Sequence, residues 1–148
     1  DLRTTLLDYA RLFFYGVDPE KLADGIFSLE LNWQCDPAEN PTIDNTLETF
    51  EMLKAQYPFL SENWRFLQLL MRAKCDWVVR HRRLFELELI KLAEREIKFG
   101  NLDEARKLLL TDFGDDYKKE REDISALAQK LFELIGLLLL LFIGLIIS

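Results

Sequence analysis

The sequence predicts an all-α protein: an antiparallel helical bundle with long helices, whose last helix continues into a transmembrane segment. Three observations predict it. Apolar residues recur at three- and four-residue spacing almost throughout, while strand-like alternation is scarce. Six Gly and four Pro in 148 residues leave little room for β-turns or long linkers. After Glu133 the chain runs to Ser148 as LIGLLLLLFIGLIIS, without one ionisable group.

The first helix carries Leu2, Leu6, Tyr9 and Phe13 on one face. It stops at YGVDPEK, where Gly16 can end a helix, Asp18 can cap the next and Pro19 can open it. The second helix has Leu22, Ile26, Leu29 and Trp33 on a stripe and ends in CDPAENPT, a two-proline loop. A third runs from about Ile43 to Tyr57 with Leu47, Phe50 and Leu53 inward, and Pro58 breaks it. From Ser61 to Phe99 there is neither Gly nor Pro. A helix of about 40 residues, roughly 55 Å long, is therefore permitted. FGNL then turns the chain with Gly100 as the C-terminal cap, and a last helix is expected from Leu102 toward the end, bent at Gly114.

That last helix carries Ile124, Leu127, Ala128, Leu131, Leu134, Ile135 and Leu138 in one unbroken phase. Bundle helix and apolar run thus read as a single rod able to transmit movement. A membrane helix needs about 20 apolar residues. The closing run is shorter, so it reads as the outer part of a truncated span, with Glu133 near the water boundary. Residues 1–133 form the helical domain and residues 134–148 the start of the span. Asp1 in place of Met suggests an excerpt or a processed product.

The net charge of −7 argues against nucleic acid as a partner, because phosphate binding needs a positive face. Charge is uneven, however. Residues 65–83 hold Arg65, Arg72, Lys74, Arg80, Arg82 and Arg83 against Asp76 alone. This segment is a solvated helix face or an anion site. Cys35, Cys75 and the single histidine, His81, have no metal-ligand spacing. A Cys35–Cys75 bridge depends on a closeness that sequence does not give. No cofactor is implied, and no convergent set of acids, bases and nucleophiles suggests an enzyme. DFG at Asp112 to Gly114 lacks the rest of the kinase set and is read as chance.

The candidate ligand-binding residues are Arg80, His81, Trp77 and Arg83. Arg80 and His81 fall where the stripe Leu70, Ala73, Trp77, Leu84, Leu87 needs its next inward residue. A charge there costs several kcal/mol unless a partner satisfies it. One reading gives it a carboxylate on a neighbouring helix or lets it snorkel outward. Another is a pocket for a small anion, gripped by Arg80 and closed on one side by Trp77. A third makes His81 a pH sensor. Trp33 and Trp64, with Trp77, suit packing. Tyr9, Phe13, Phe14 and Tyr15 suit either packing or an aromatic belt. DDYKKERED, residues 115–123, reads as an exposed face of local charge pairs.

Three stretches carry a likeness to a known class: LLDYARLFFYGVDPEKLADGIFSLELNW, AEREIKFGNLDEARKLLL and ISALAQKLFELIGLLLLLFIGLIIS. The chain resembles the all-helical extracytoplasmic sensor domains of bacterial chemoreceptors, sensor histidine kinases and cyclic-dinucleotide enzymes. The resemblance implies a non-catalytic signal-input domain in the bacterial inner membrane, with residues 1–133 in the periplasm or outside the cell. It implies a homodimer about a two-fold axis, and a helix movement passed along the seam Ile124, Leu127, Ala128, Leu131, Ile135 to a cytoplasmic output domain. A tail-anchored helical adaptor that binds a protein partner is the alternative. GNLDEARKLLL resembles part of a tetratricopeptide repeat, although no second copy follows at a period of about 34 residues.

Overall fold

The computed structural model describes residues 1–112 and 117–147, with side chains described through Leu138. Among these residues the chain is all-helical and has no strand. In order come α1 (Leu2–Phe13), α2 (Pro19–Leu31), a 3-10 turn (Pro37–Glu39), α3 (Thr42–Gln56), a second 3-10 turn (Pro58–Glu62), α4 (Trp64–Lys98), α5 (Leu102–Leu109) and α6 (Lys118–Ile147).

Capping chemistry sets most of these boundaries. The Asp1 carboxylate accepts from the Arg3 amide at 3.0 Å, and Asp18 accepts from the amides of Glu20 and Lys21 ahead of Pro19. Gly16, at φ +83°, reverses the chain between α1 and α2. Asp36 caps the first 3-10 turn, accepting from the Ala38 amide at 2.9 Å, so the two-proline loop is itself ordered. Asn63 accepts from the amides of Arg65 and Phe66, which starts α4 at Trp64 rather than at Ser61. From there 35 residues run without interruption, about 52 Å of rod. Gly100, at φ +82°, turns α4 into α5. The single helix expected from Leu102 onward is two, because α5 stops at Leu109 and α6 starts at Lys118. The expected bend at Gly114 lies outside the described residues.

The core fills the space between α1, α2, α3 and the first half of α4. Phe14, Leu22, Leu29, Phe50, Leu53, Phe66, Leu67 and Leu70 are all buried in it. Gly25 lets α2 come close to α3: a Cβ placed there would stand 3.3 Å from the Phe50 ring, which packs on Phe66 at 5.9 Å between centroids. α4 is the common neighbour, touching α2, α3, α5, α6 and both 3-10 turns.

The seam of α6 is narrower than its sequence pattern. Leu131 is buried and joins the core, while Ile124, Leu127, Leu134 and Ile135 are half-buried. Ala128 and Leu138 are exposed. A helix seated chiefly against one neighbour buries one thin stripe, so the flanking positions of the pattern stay in solvent.

Among the described residues no helix is long and apolar enough to cross a membrane. The described side chains of α6 reach only Leu138, and behind Leu134 stand Glu133, Lys130 and the charges at Lys118 to Asp123. This corrects the expected placement in a bacterial inner membrane and the expected transmembrane continuation of the last helix. Residues 139–148, on which the span reading leaned, have side chains outside the described set.

The tight α2–α3 approach yields a first prediction. Gly25→Val forces Phe50 off its seat and lowers stability by about 2 kcal/mol. Urea denaturation checks this, with Gly25→Ala expected to cost less.

Candidate functional site

Four side chains at helical spacing define the face that α4 turns toward α2 and the first 3-10 turn: Arg72, Asp76, Arg80 and Arg83. Each meets the preceding chain. Arg72 donates to the Leu29 carbonyl at 3.0 Å and pairs with Glu30 at 2.8 Å. Asp76, only 4% exposed, accepts from the Asn32 side-chain amide and the Trp33 indole N–H, both at 2.9 Å. Arg80 pairs through Nε with Asp44 at 3.0 Å and donates through Nη1 to the carbonyls of Pro37 and Ala38 at 2.7 and 2.6 Å. Arg83 faces Asp36 at 3.7 Å.

Behind Asp76 lies a buried polar chain. The Asn32 side-chain oxygen accepts from the Thr46 hydroxyl at 3.2 Å. Its backbone carbonyl, and that of Leu31, accept from the Asn40 amide at 3.1 and 3.0 Å. Asn40 in turn accepts from the Thr42 amide at 3.1 Å. The carbonyls of Leu31 and of the cap residue Asn32, at the end of α2, are thereby met from the loop.

The aromatic side of the cluster faces α6. Trp77 and His81 stack with ring centroids 3.8 Å apart, and Tyr117, just ahead of α6, meets Trp77 edge-on at 5.7 Å. His81 Nε2 lies 3.0 Å from Asp44, whose other oxygen holds Arg80. One carboxylate of α3 thus ties together the guanidinium that pins the loop and the ring that seats the root of α6.

The four predicted ligand-binding residues fall in one region of α4. Arg80 occupies the inward position expected of it, its side chain 12% exposed, with a carboxylate of a neighbouring helix as partner. Nε and Nη1 are both engaged by protein acceptors. The basic segment as a whole is matched by the chain's own groups. Lys74 pairs with Glu51 at 2.6 Å, Arg82 with Glu86 at 2.8 Å, and Arg65 lies over the rings of Phe13 and Trp64. Asp76, Asn32 and Thr46 were not predicted. The signal for Asp76 was its phase, since it sits one turn from both Ala73 and Arg80. Its donors come from a helix end that no local pattern links to α4.

Cys35 and Cys75 are free thiols at the surface. Partial burial, and after it the neighbouring Asp76 carboxylate, pushes the Cys75 thiol up from its ordinary range. Among the described residues no group of three or more His, Cys, Asp or Glu is placed to hold a metal ion.

Comparison with protein families, curated proteins and solved structures finds no match.

Two predictions follow from the cluster. Asp76→Ala strands two donors, one of them wholly buried, and lowers the unfolding free energy in urea by about 3 kcal/mol. Asp76→Asn, which keeps one acceptor, costs less. In a Cys35→Ser background, the reaction of Cys75 with a disulfide reagent has its pH profile displaced to higher pH than that of a free cysteine peptide. The sign follows because the thiolate, the reacting form, is disfavoured by burial and by the adjacent negative charge.

Proposed function

We propose that the chain is a non-catalytic signal-input module, in which a stimulus acting on the helical body changes how α6 sits on α4. One observation carries this reading. Among the described residues α6 has α4 as its main neighbour and is held by a thin apolar stripe centred on Leu131 and by the Lys130–Glu62 pair. Its root rests on the Trp77–His81 stack through Tyr117. An element held chiefly along one stripe breaks fewer contacts on reseating than a helix packed on several sides, with Leu131 its one buried link to the core. Two arrangements of a helix against one neighbour differ by a small slide or tilt, and a ligand that prefers one of them shifts the population. The helices run as an antiparallel bundle in this reading, and two copies pair about a two-fold axis.

Spin labels at Ala55 on α3 and Gln129 on α6, with Cys35 and Cys75 replaced by Ser, test the proposal. The distance distribution is expected to hold two populations whose ratio moves with the stimulus. A single distribution that nothing shifts counts against the module.

A helical adaptor that binds a protein partner is the second reading. It is favoured by Ile97, Phe99, Leu102, Leu109 and Leu110, which stand exposed where α4 turns into α5. Phe99→Asp separates the two. It disables an adaptor and leaves the α6 distances of a signal-input module unchanged.

A further inference from the structure

Between α3, α4 and α6 runs an open groove of about 390 Å³. Its floor is apolar, made by Leu70 of α4 and Leu127 of α6. Three lysines line it, one from each helix: Lys54, Lys74 and Lys130. Lys74 is matched by Glu51 and Lys130 by Glu62, each at 2.6 Å. Lys54 is half-buried and, among the described residues, has neither an ion pair nor a hydrogen bond. Its neighbour one turn back, Glu51, is the carboxylate that Lys74 has taken. An anion entering the groove would supply the counter-charge that this ammonium lacks. The remaining carboxylate of the lining, Asp123, is exposed on α6 and stands about 10 Å along the helix from Lys130, near the Debye length at physiological salt.

We propose that this groove binds a small anion with one phosphate or carboxylate head and a short apolar tail. The head sits between Lys54 of α3 and Lys130 of α6, and the tail lies on Leu70 and Leu127. Binding there joins α3 to α6 across a gap. The proposal thus rests on the signal-input reading for its consequence, though not for the binding itself. It gives the stimulus a chemical class and a place distinct from the Arg80 cluster.

Calorimetry on the full chain with butyl phosphate and with butyrate tests it and tells the two head groups apart. Saturable binding of either is expected, weakened about tenfold in Lys54→Ala and in Lys130→Ala. Lys98→Ala, which removes an exposed lysine at the far end of α4, should leave it unchanged. Among the described residues Lys54 has no ion pair or hydrogen bond to lose, so its variant is expected to fold, and Lys54→Gln provides a second check. No saturable binding up to about 10 mM of either probe overturns the groove. So does binding that Lys54→Ala leaves intact. The spin-label distance between Ala55 and Gln129, measured with the bound probe, reads the consequence separately. Lysine-dependent binding that narrows the distribution supports both proposals. The same binding with an unmoved distribution supports the groove and counts against the signal-input reading.

Discussion

A carboxylate taken out of water in the middle of a basic helix fixes how the first half of this chain folds. Removing the Asp76 charge from solvent costs several kcal/mol, and the cost is tolerable only where strong donors replace the lost water. Asn32 and Trp33 supply them at 2.9 Å, and both come from the turn that closes α2. The requirement is directional, because any register of α2 against α4 that misses Asp76 leaves the charge unpaired. Arg72 and Arg80, one turn to either side, engage the same stretch of chain at Leu29 and at Pro37 and Ala38. Register, the path of the two-proline loop and the start of α3 are therefore set together.

The grip is confined to the first half of α4, and this gives the molecule a gradient of cohesion. Up to Arg83, α4 meets α2, α3 and the first 3-10 turn, and its inward residues are large and buried. Beyond that point it has α5 beside it, and the buried residues between them are the small side chains of Ala93 and Ala105. No large apolar side chain is fully buried there among the described residues, so local opening costs less than global unfolding. α6 lies between these limits, fastened at Leu131 and at the Lys130–Glu62 pair. Elements that move in response to a signal are drawn from such weakly held regions.

The helices themselves were legible because their signals are local. Gly16, Asp18 with Pro19, Pro58 and Gly100 mark boundaries through backbone conformation and capping, which depend on a few adjacent residues. Phe50, Leu53 and Leu70 were legible from period alone. What stayed hidden depends on which helices meet. Nothing near Asn32 announces that its amide will satisfy Asp76, more than 40 residues away. The stripe on α6 was over-read for a related reason: its phase is consistent from Ile124 to Leu138, but burial of each position depends on how many neighbours surround it. The break between α5 and α6 falls in LTDFGDDY, whose Gly and Asp residues favour interruption, so the sequence does carry a signal there, for an end rather than the expected bend.

Charge placement separates two kinds of cation in this acidic protein. Arg72, Arg80 and Arg83 sit at the α2–α4 contact, where a planar fork can hold a carboxylate and a backbone carbonyl at once. With 26 acidic residues against 19 basic ones, the chain has carboxylates to spare for them, and Glu30, Asp44 and Asp36 are the ones used. An external anion approaching this face must displace an acid already tethered nearby, whose effective concentration is high. Lys54 is placed differently. Its nearest acid on α3 is committed to Lys74, and the space in front of it is an open groove rather than another helix. Among the described residues its compact ammonium, on a flexible stem, has no paired acid to displace, although Asp123 lines the same groove. The densest cluster of positive charge therefore holds the fold together, while of the three groove lysines only Lys54 has no acid paired with it among the described residues.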